Sequence, residues 1–309
     1  MCSPSSRDTT DGREGALIAE RPQDRLEFGI VTGQHRRPLS MIEEHWRFAE
    51  ETGWDSAWLF DHFFSLGEDD TDICLEGWTL LAAMAVKSER VRLGLMVTGN
   101  THRNPAIMFK QAVTVDHLSG GRLILGMGAG WNEREHHAYG IPFPSPAERV
   151  DRFGEAMALM QGLEAQARTT FDGRHYTLED APFEPKPVHG HIPVLIGTAG
   201  KRMLRHVARY ADLWDGGGSP EEYRRHDERL VAACREIGRD PAKVRRCLST
   251  GGDPLESESA FRQHVLAYHL VGVRDFMFDL PVGTPTAVVT DIAERVVPAL
   301  RAELGGAAG

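Results

Sequence analysis

Short apolar runs alternate with amphipathic stretches along the chain from Leu26 onward. Residues 28–31 are an apolar run of strand length. Residues 40–52 carry Ile42, Trp46 and Ala49 at three-to-four spacing, which predicts a helix, and Ser40 with Glu43 makes a capping-box pattern at its start. Gly53 stops that helix and residues 54–60 form a second strand. Residues 75–86 are a second helix and 91–97 a third strand. Asn104-Pro105 opens a third helix, with proline in the first turn where its missing N–H costs nothing; this helix runs to about 118 and ends at Ser119-Gly120-Gly121. Strand four spans 123–127, followed by a long helix over 147–163 with Val150, Phe153, Met157 and Met160 on one stripe. Residues 170–178 read as a β-hairpin around the turn dipeptide Asp172-Gly173. Strands at 194–196, 212–214, 244–250 and 276–279 then alternate with helices at 201–210, 220–237, 257–270 and 285–304.

Eight strand–helix units in order predict a parallel sheet, since every crossover is a helix. The α/β fold expected is a (β/α)8 TIM barrel with a small hairpin insertion before strand five. A doubly wound open sheet is the alternative, because strands six and seven are short. No linker or low-complexity segment interrupts the pattern, and the βα unit is its only repeat. Residues 25–309 are expected to form one barrel domain preceded by a flexible polar tail over 1–24.

The length of 309 residues suits this fold, which runs to about 250 residues or more with insertions. A formal charge of -10 argues against a nucleic-acid surface or an anionic membrane partner. Cys2, Cys74, Cys234 and Cys247 form no Cys-x-x-Cys pair, so reduced thiols in a cytoplasmic protein are expected. No run reaches the ~20 apolar residues of a membrane span, and the first 24 residues lack a signal peptide's apolar stretch.

In a barrel, chemistry sits at the C-terminal ends of the strands. There the chain places Asp61-His62-Phe63, Thr98-Gly99-Asn100, the run from Gly128 to Glu133, Gly197-Thr198-Ala199-Gly200, and Asp279 with Pro281. Each has a structural and a functional reading. Asp61-His62 is a rim pair or a ligand contact; an unperturbed imidazole titrates near pH ~6.5 and suits proton transfer. Gly126, Gly128 and Gly130 form a tight turn or admit a ring. Trp131 packs on a helix or offers an aromatic face beside the Asn132 amide. Lys201 and Arg202 open a helix whose dipole they oppose, which makes sense if an anion binds the backbone there. Glu133, His136 and His137 lack the spacing and companions of a zinc site, so no metal is expected. No nucleophile elbow, Walker loop or Rossmann context occurs.

The stretches Phe60-Asp61-His62-Phe63, Leu118-Ser119-Gly120-Gly121-Arg122-Leu123, Gly126-Met127-Gly128-Ala129-Gly130-Trp131 and Ile196-Gly197-Thr198-Ala199-Gly200 together resemble the luciferase-like monooxygenase superfamily. The likeness covers residues 26 to 279. Asp61-His62 and the Asn-x-x-Arg-Asn-Pro stretch at 100–105 resemble most its members that use coenzyme F420, a 5-deazaflavin. This implies an oxidoreductase that moves a hydride to or from a small organic substrate. Its cofactor would contact Asp61, His62, Met96, Val97, Thr98, Gly130, Trp131 and Asn132, with its phosphate on Gly197, Thr198, Ala199 and Gly200. His62 would be the catalytic proton donor. The resemblance also implies a non-proline cis peptide at Met96–Val97, a homodimer, and a separate reductase that supplies reduced cofactor. FMN is the alternative cofactor, in a monooxygenase using reduced flavin and O2; a non-catalytic flavin-binding barrel is a third reading. The substrate pocket would come from Gln34-His35, residues 64–73 and the segments after strands seven and eight.

Overall fold

The computed structural model describes residues 25–66, 69–283 and 285–305; the tail expected over 1–24 lies outside them. The chain runs β1 (Glu27–Val31), α1 (Leu39–Glu51), β2 (Ser56–Leu59), α2 (Gly77–Lys87), β3 (Arg92–Leu95), β4 (Thr98–Gly99), α3 (Pro105–Ser119) and β5 (Leu123–Gly128). Then come α4 (Glu133–Ala138), α5 (Pro146–Ala165), β6 (Arg168–Asp172), β7 (Thr177–Pro182), β8 (Val194–Gly197), α6 (Lys201–Tyr210), β9 (Leu213–Asp215) and α7 (Pro220–Glu236). The chain closes with β10 (Arg245–Thr250), α8 (Glu258–His269), β11 (Asp275–Asp279), α9 (Ala287–Asp291) and α10 (Val297–Gly305).

All pairings in the main sheet are parallel, in the order β3-β2-β1-β11-β10-β9-β8-β5, and β3 returns to β5 through Leu93 opposite Leu123 and Gly94 opposite Ile124. The sheet therefore closes into an eight-stranded (β/α)8 barrel, with β4 as a short continuation of β3 that pairs with β5. The antiparallel β6–β7 hairpin precedes the fifth barrel strand, β8, as the pattern predicts.

Most buried apolar side chains lie between barrel and helices. A second cluster, Val31, Trp58, Ile124, Leu195, Leu213, Cys247 and Met277, draws one residue from each of seven strands and fills the barrel interior. A tryptophan there needs room. A Cβ on Gly94 of β3 would lie 2.6 Å from the Trp58 ring, so only glycine fits beside it. On β5, a Cβ on Gly126 would meet the Leu95 carbonyl oxygen at 2.0 Å, and one on Gly128 the Val97 side chain at 2.7 Å. The first two glycines of the 126–130 run are thus strand residues that yield space to a neighbouring strand, not a turn.

Four local features differ from the pattern's forecast. The Ser40–Glu43 capping box does not form: α1 starts at Leu39 with Pro38 before it, so Ser40 already lies inside the first turn, and Glu43 ion-pairs with Lys87 of α2. The hairpin turn is longer than two residues, because Glu155 of α5 accepts the N–H groups of Arg174, His175 and Tyr176 at 2.9, 2.8 and 3.2 Å and holds the loop open. The closing helix is broken by a π-helical turn, Ile292–Val296, just ahead of Pro298, whose missing N–H interrupts the regular ladder. Helix α4 is additional, and it carries part of the site.

The Ser119-Gly120-Gly121-Arg122 stretch is a structural clasp. Gly120 ends α3 in the left-handed conformation, φ 65°. Arg122 then donates to the carbonyls of Ala85, Ser88 and Val91, to the Ser88 hydroxyl and to the Ser119 carbonyl at 2.6–3.0 Å, tying the ends of α2 and α3 to β3.

Candidate active site

Asp61 follows β2 at the C-terminal mouth of the barrel and is 2% exposed. Its Oδ2 accepts from the Gly99 N–H at 2.9 Å, from His102 Nδ1 at 3.2 Å and from Arg103 Nη1 at 2.7 Å. Arg103 also donates to Glu76 at 2.6 Å, and Glu76 caps α2 through the N–H groups of Trp78 and Thr79. Burial opposes ionisation of Asp61, but the His102 hydrogen bond and the Arg103 guanidinium outweigh it and hold the carboxyl below its ordinary pKa.

His62 serves a different neighbour. Its Nδ1 lies 2.9 Å from Oε2 of Glu135, a residue of α4 that is fully buried. A carboxylate only accepts, so Nδ1 is the donor in this contact, and Nε2 has no partner among the described residues. The other Glu135 oxygen accepts the Phe63 N–H at 2.5 Å, and His102 Nε2 stands 3.9 Å from Glu135 Oε2. Here too burial raises the carboxyl pKa, but the His62 hydrogen bond and the Phe63 amide bring it below the ordinary value. Asn132 caps α4 by accepting the Glu135 N–H at 3.3 Å, which fixes where Glu135 begins its approach. Next to it, His136 is pinned between the Asn132 carbonyl and the Thr101 hydroxyl at 2.6 and 2.7 Å.

His62 lies in a run of rings: Trp131 meets it edge-on at 5.7 Å between centroids, and His35 lies 5.5 Å away. Burial, then His62 and Arg37, push the His35 pKa down to about 4, so His35 is neutral near pH 7. Burial, with Glu135 nearby, pushes the Cys74 thiol up to about 12; it is a packing thiol rather than a nucleophile.

These groups border a cavity of about 280 Å³. Of the cofactor contacts implied by the resemblance, Asp61, His62, Met96, Val97, Gly130, Trp131, Asn132, Gly197 and Thr198 line it. Thr98 is buried behind it, while Ala199 and Gly200 are exposed at the start of α6. The Met96–Val97 peptide is cis. The lining also includes Gly99, His102, Gly128, Ala129, Glu135 and Met203, which were not singled out as contacts. Glu135 is the consequential omission. The cluster Glu133, His136 and His137 drew attention to that stretch, but only the three-dimensional path of α4 shows that Glu135 and His136 turn inward while Glu133 and His137 face solvent.

The 197–200 loop fits a phosphate by two tests. A Cβ on Gly197 would meet only Val97 at 3.6 Å, and one on Gly200 only the Thr198 hydroxyl at 3.6 Å, so open space lies beside both. Gly200 precedes α6 with no side chain capping it, which leaves first-turn N–H groups for an anion. Of the two cations expected there, Arg202 is engaged by Asp151 at 2.6 Å, and Lys201 has no carboxylate partner among the described residues.

The chain is similar to proteins of known activity. It shares 32% identity over 281 residues with a phthiodiolone/phenolphthiodiolone dimycocerosates ketoreductase of Mycobacterium kansasii, covering 80% of this chain and 74% of that protein. Its fold matches an F420-dependent secondary alcohol dehydrogenase in complex with an F420-acetone adduct (TM-score 0.78, 17% identity, 88% of this chain and 99% of the other). It also matches the oxygenating constituent of the 3,6-diketocamphane monooxygenase of Pseudomonas putida in complex with FMN (TM-score 0.70, 14% identity, 89% and 98%). The luciferase-like monooxygenase model matches residues 23–279, and the chain belongs to that family of oxidoreductases.

Proposed function

We propose that this chain is a coenzyme F420-dependent oxidoreductase that transfers a hydride, in either direction, between the deazaflavin and a small carbonyl or secondary-alcohol substrate. The observation that carries the proposal is the His62–Glu135 pair in the cavity wall, with His62 Nδ1 bound to a buried carboxylate and Nε2 without a partner among the described residues. When bound, the deazaflavin supplies hydride chemistry without oxygen activation, because carbon replaces the N5 of a flavin. The chain's own part is then proton management and placement. His62 Nε2 takes the proton from a substrate hydroxyl, or returns it to a carbonyl oxygen as the hydride arrives. Glu135 stabilises the resulting imidazolium across 2.9 Å. Asp61 stands one step back, fixing Gly99, His102 and Arg103 so that the cavity wall does not shift. The 197–200 backbone holds the phosphate, and Trp131, 67% exposed at the rim, offers an aromatic face beside the ring. A related ketoreductase and a fold neighbour that handles a secondary alcohol support the carbonyl–alcohol class.

Equilibrium titration of the purified protein with F420 and with FMN, each oxidised and reduced, tests the reading. Tighter binding of F420 is expected. Equal or tighter binding of FMN overturns it in favour of the monooxygenase reading, which the FMN-bound neighbour supports.

A further inference from the structure

We propose that a groove between α6 and α7 binds an anionic extension of the cofactor beyond its phosphate, and thereby selects coenzyme F420 over FMN. The inference rests on the deazaflavin reading. In F420 the phosphate is a diester that continues into a chain of carboxylates, whereas FMN ends at its phosphate.

The groove has a volume of about 400 Å³ and a floor of small residues, Ala232 and Ala233. Lys201, Arg205 and Arg229 line it, with Glu236 as the only acidic residue among the described ones. Lys201 directly follows the 197–200 loop, and Arg205 lies one helical turn further along the same face, about 6 Å on. An anionic chain leaving a phosphate on that loop therefore meets Lys201 first, then Arg205, with Arg229 of α7 on the opposite wall.

In the free protein this arrangement is unfavourable. Lys201 opposes the α6 dipole, and Lys201 with Arg205 is a like-charge pair at four-residue spacing. On the same helices Arg209 and Arg235 likewise have no carboxylate partner among the described residues, but four nearby arginines do. Arg202 pairs with Asp151, Arg152 with Glu148, Arg224 with Glu228 and Arg225 with Glu221. Within a chain of net charge -10, carboxylates are plentiful, yet none pairs with Lys201, Arg205 or Arg229 among the described residues. Three unpaired cations converging on one groove, at the exit of a loop shaped for phosphate, match a polycarboxylate ligand.

The test compares dissociation constants for F420, for the same deazaflavin phosphate shortened to remove its carboxylate tail, and for FMN. The proteins are wild type, Arg205→Ala/Arg229→Ala and Arg205→Lys/Arg229→Lys. Both sites are exposed helix positions where alanine is well tolerated, and circular dichroism checks the fold. Wild type is expected to bind full-length F420 about five- to tenfold more tightly than the shortened form, the scale of two exposed ion pairs. That advantage shrinks in about 0.5 M salt. The alanine variant loses the advantage while its affinity for the shortened form stays unchanged, and the lysine variant retains it. Equal affinities for the two deazaflavins in wild type, or an alanine variant weakened equally toward both, overturns the groove assignment alone. Failure of both deazaflavins to bind overturns the cofactor reading and this inference with it.

Discussion

Replacing Asp61 by Asn tests whether the Asp-His pair divides its labour between scaffold and chemistry. The substitution keeps the shape but removes the charge that three donors share within 3.2 Å. Removing one partner of a buried ion pair costs ~3–5 kcal/mol when the other is stranded. Arg103 is not stranded: it keeps Glu76 at 2.6 Å, and its side chain is 15% exposed. The expected loss is therefore smaller, about 2–3 kcal/mol. For a chain of this length that corresponds to a fall in melting temperature of roughly 3–5 °C. The pH dependence follows from the sign of the shift. Asp61 has a folded-state pKa below its ordinary value, so its stabilisation is complete above ~3.9 and is lost as pH falls through the folded value. Thermal melts of wild type and Asp61→Asn should differ by a constant amount between pH 6 and 8 and converge only in acid. A melting temperature unchanged by the substitution refutes the anchoring role. A difference that varies between pH 6 and 8 refutes the assignment of the energy to the Asp61–Arg103 pair.

Glu135→Gln should lower turnover about 10²-fold with little change in KM, because the amide can present an N–H to His62 and turn Nε2 into a donor; an unaltered kcat and pH profile removes Glu135 from the mechanism. Gly200→Val should weaken cofactor binding about tenfold or more with the melting temperature unchanged, since φ -74° suits valine and the nearest atom is 3.6 Å from the new Cβ; unchanged affinity places the phosphate elsewhere. Arg122→Lys should cost about 3 kcal/mol of stability, as an ammonium cannot reproduce the five-bond fork, while cofactor affinity holds. A drop in affinity without a drop in stability would reverse that assignment.

The barrel was legible because hydrophobic periodicity is local and repeated. Helix α6, for example, has the bounds its pattern gives, residues 201–210, since its apolar stripe Met203, Leu204, Val207 and Ala208 is interrupted on both sides. Glycine functions were less legible, because Gly94 and Gly126 answer to Trp58 and to the Leu95 carbonyl on neighbouring strands. Capping at Ser40 failed for a related reason: Glu43 had a better partner in Lys87, 44 residues away. Within the site, the strand-end rule found the right loops, and ten of the residues it singled out line one cavity. Glu135 was beyond reach, because a buried carboxylate on a six-residue helix has no periodic signature.

The juxtaposition of Asp61 and His62 has a geometric cause. Consecutive side chains of an extended segment leaving a strand point to opposite sides. Phe60 packs beside the barrel's interior cluster, Asp61 turns to the β4 side, and His62 turns back toward α4. Two adjacent residues thereby reach separate carboxylate-centred networks, one closed by Arg103 and one left open at His62 Nε2. His102 joins them, with Nδ1 3.2 Å from Asp61 and Nε2 3.9 Å from Glu135. A single imidazole held between two buried carboxylates makes the mouth of the barrel one electrostatic unit, so a charge change at either carboxylate is felt at the other. The corresponding expectation is non-additivity: Asp61→Asn and Glu135→Gln combined should differ from the sum of their separate stability losses by about 0.5–3 kcal/mol. Strict additivity would mean that His102 only fills space between two independent networks.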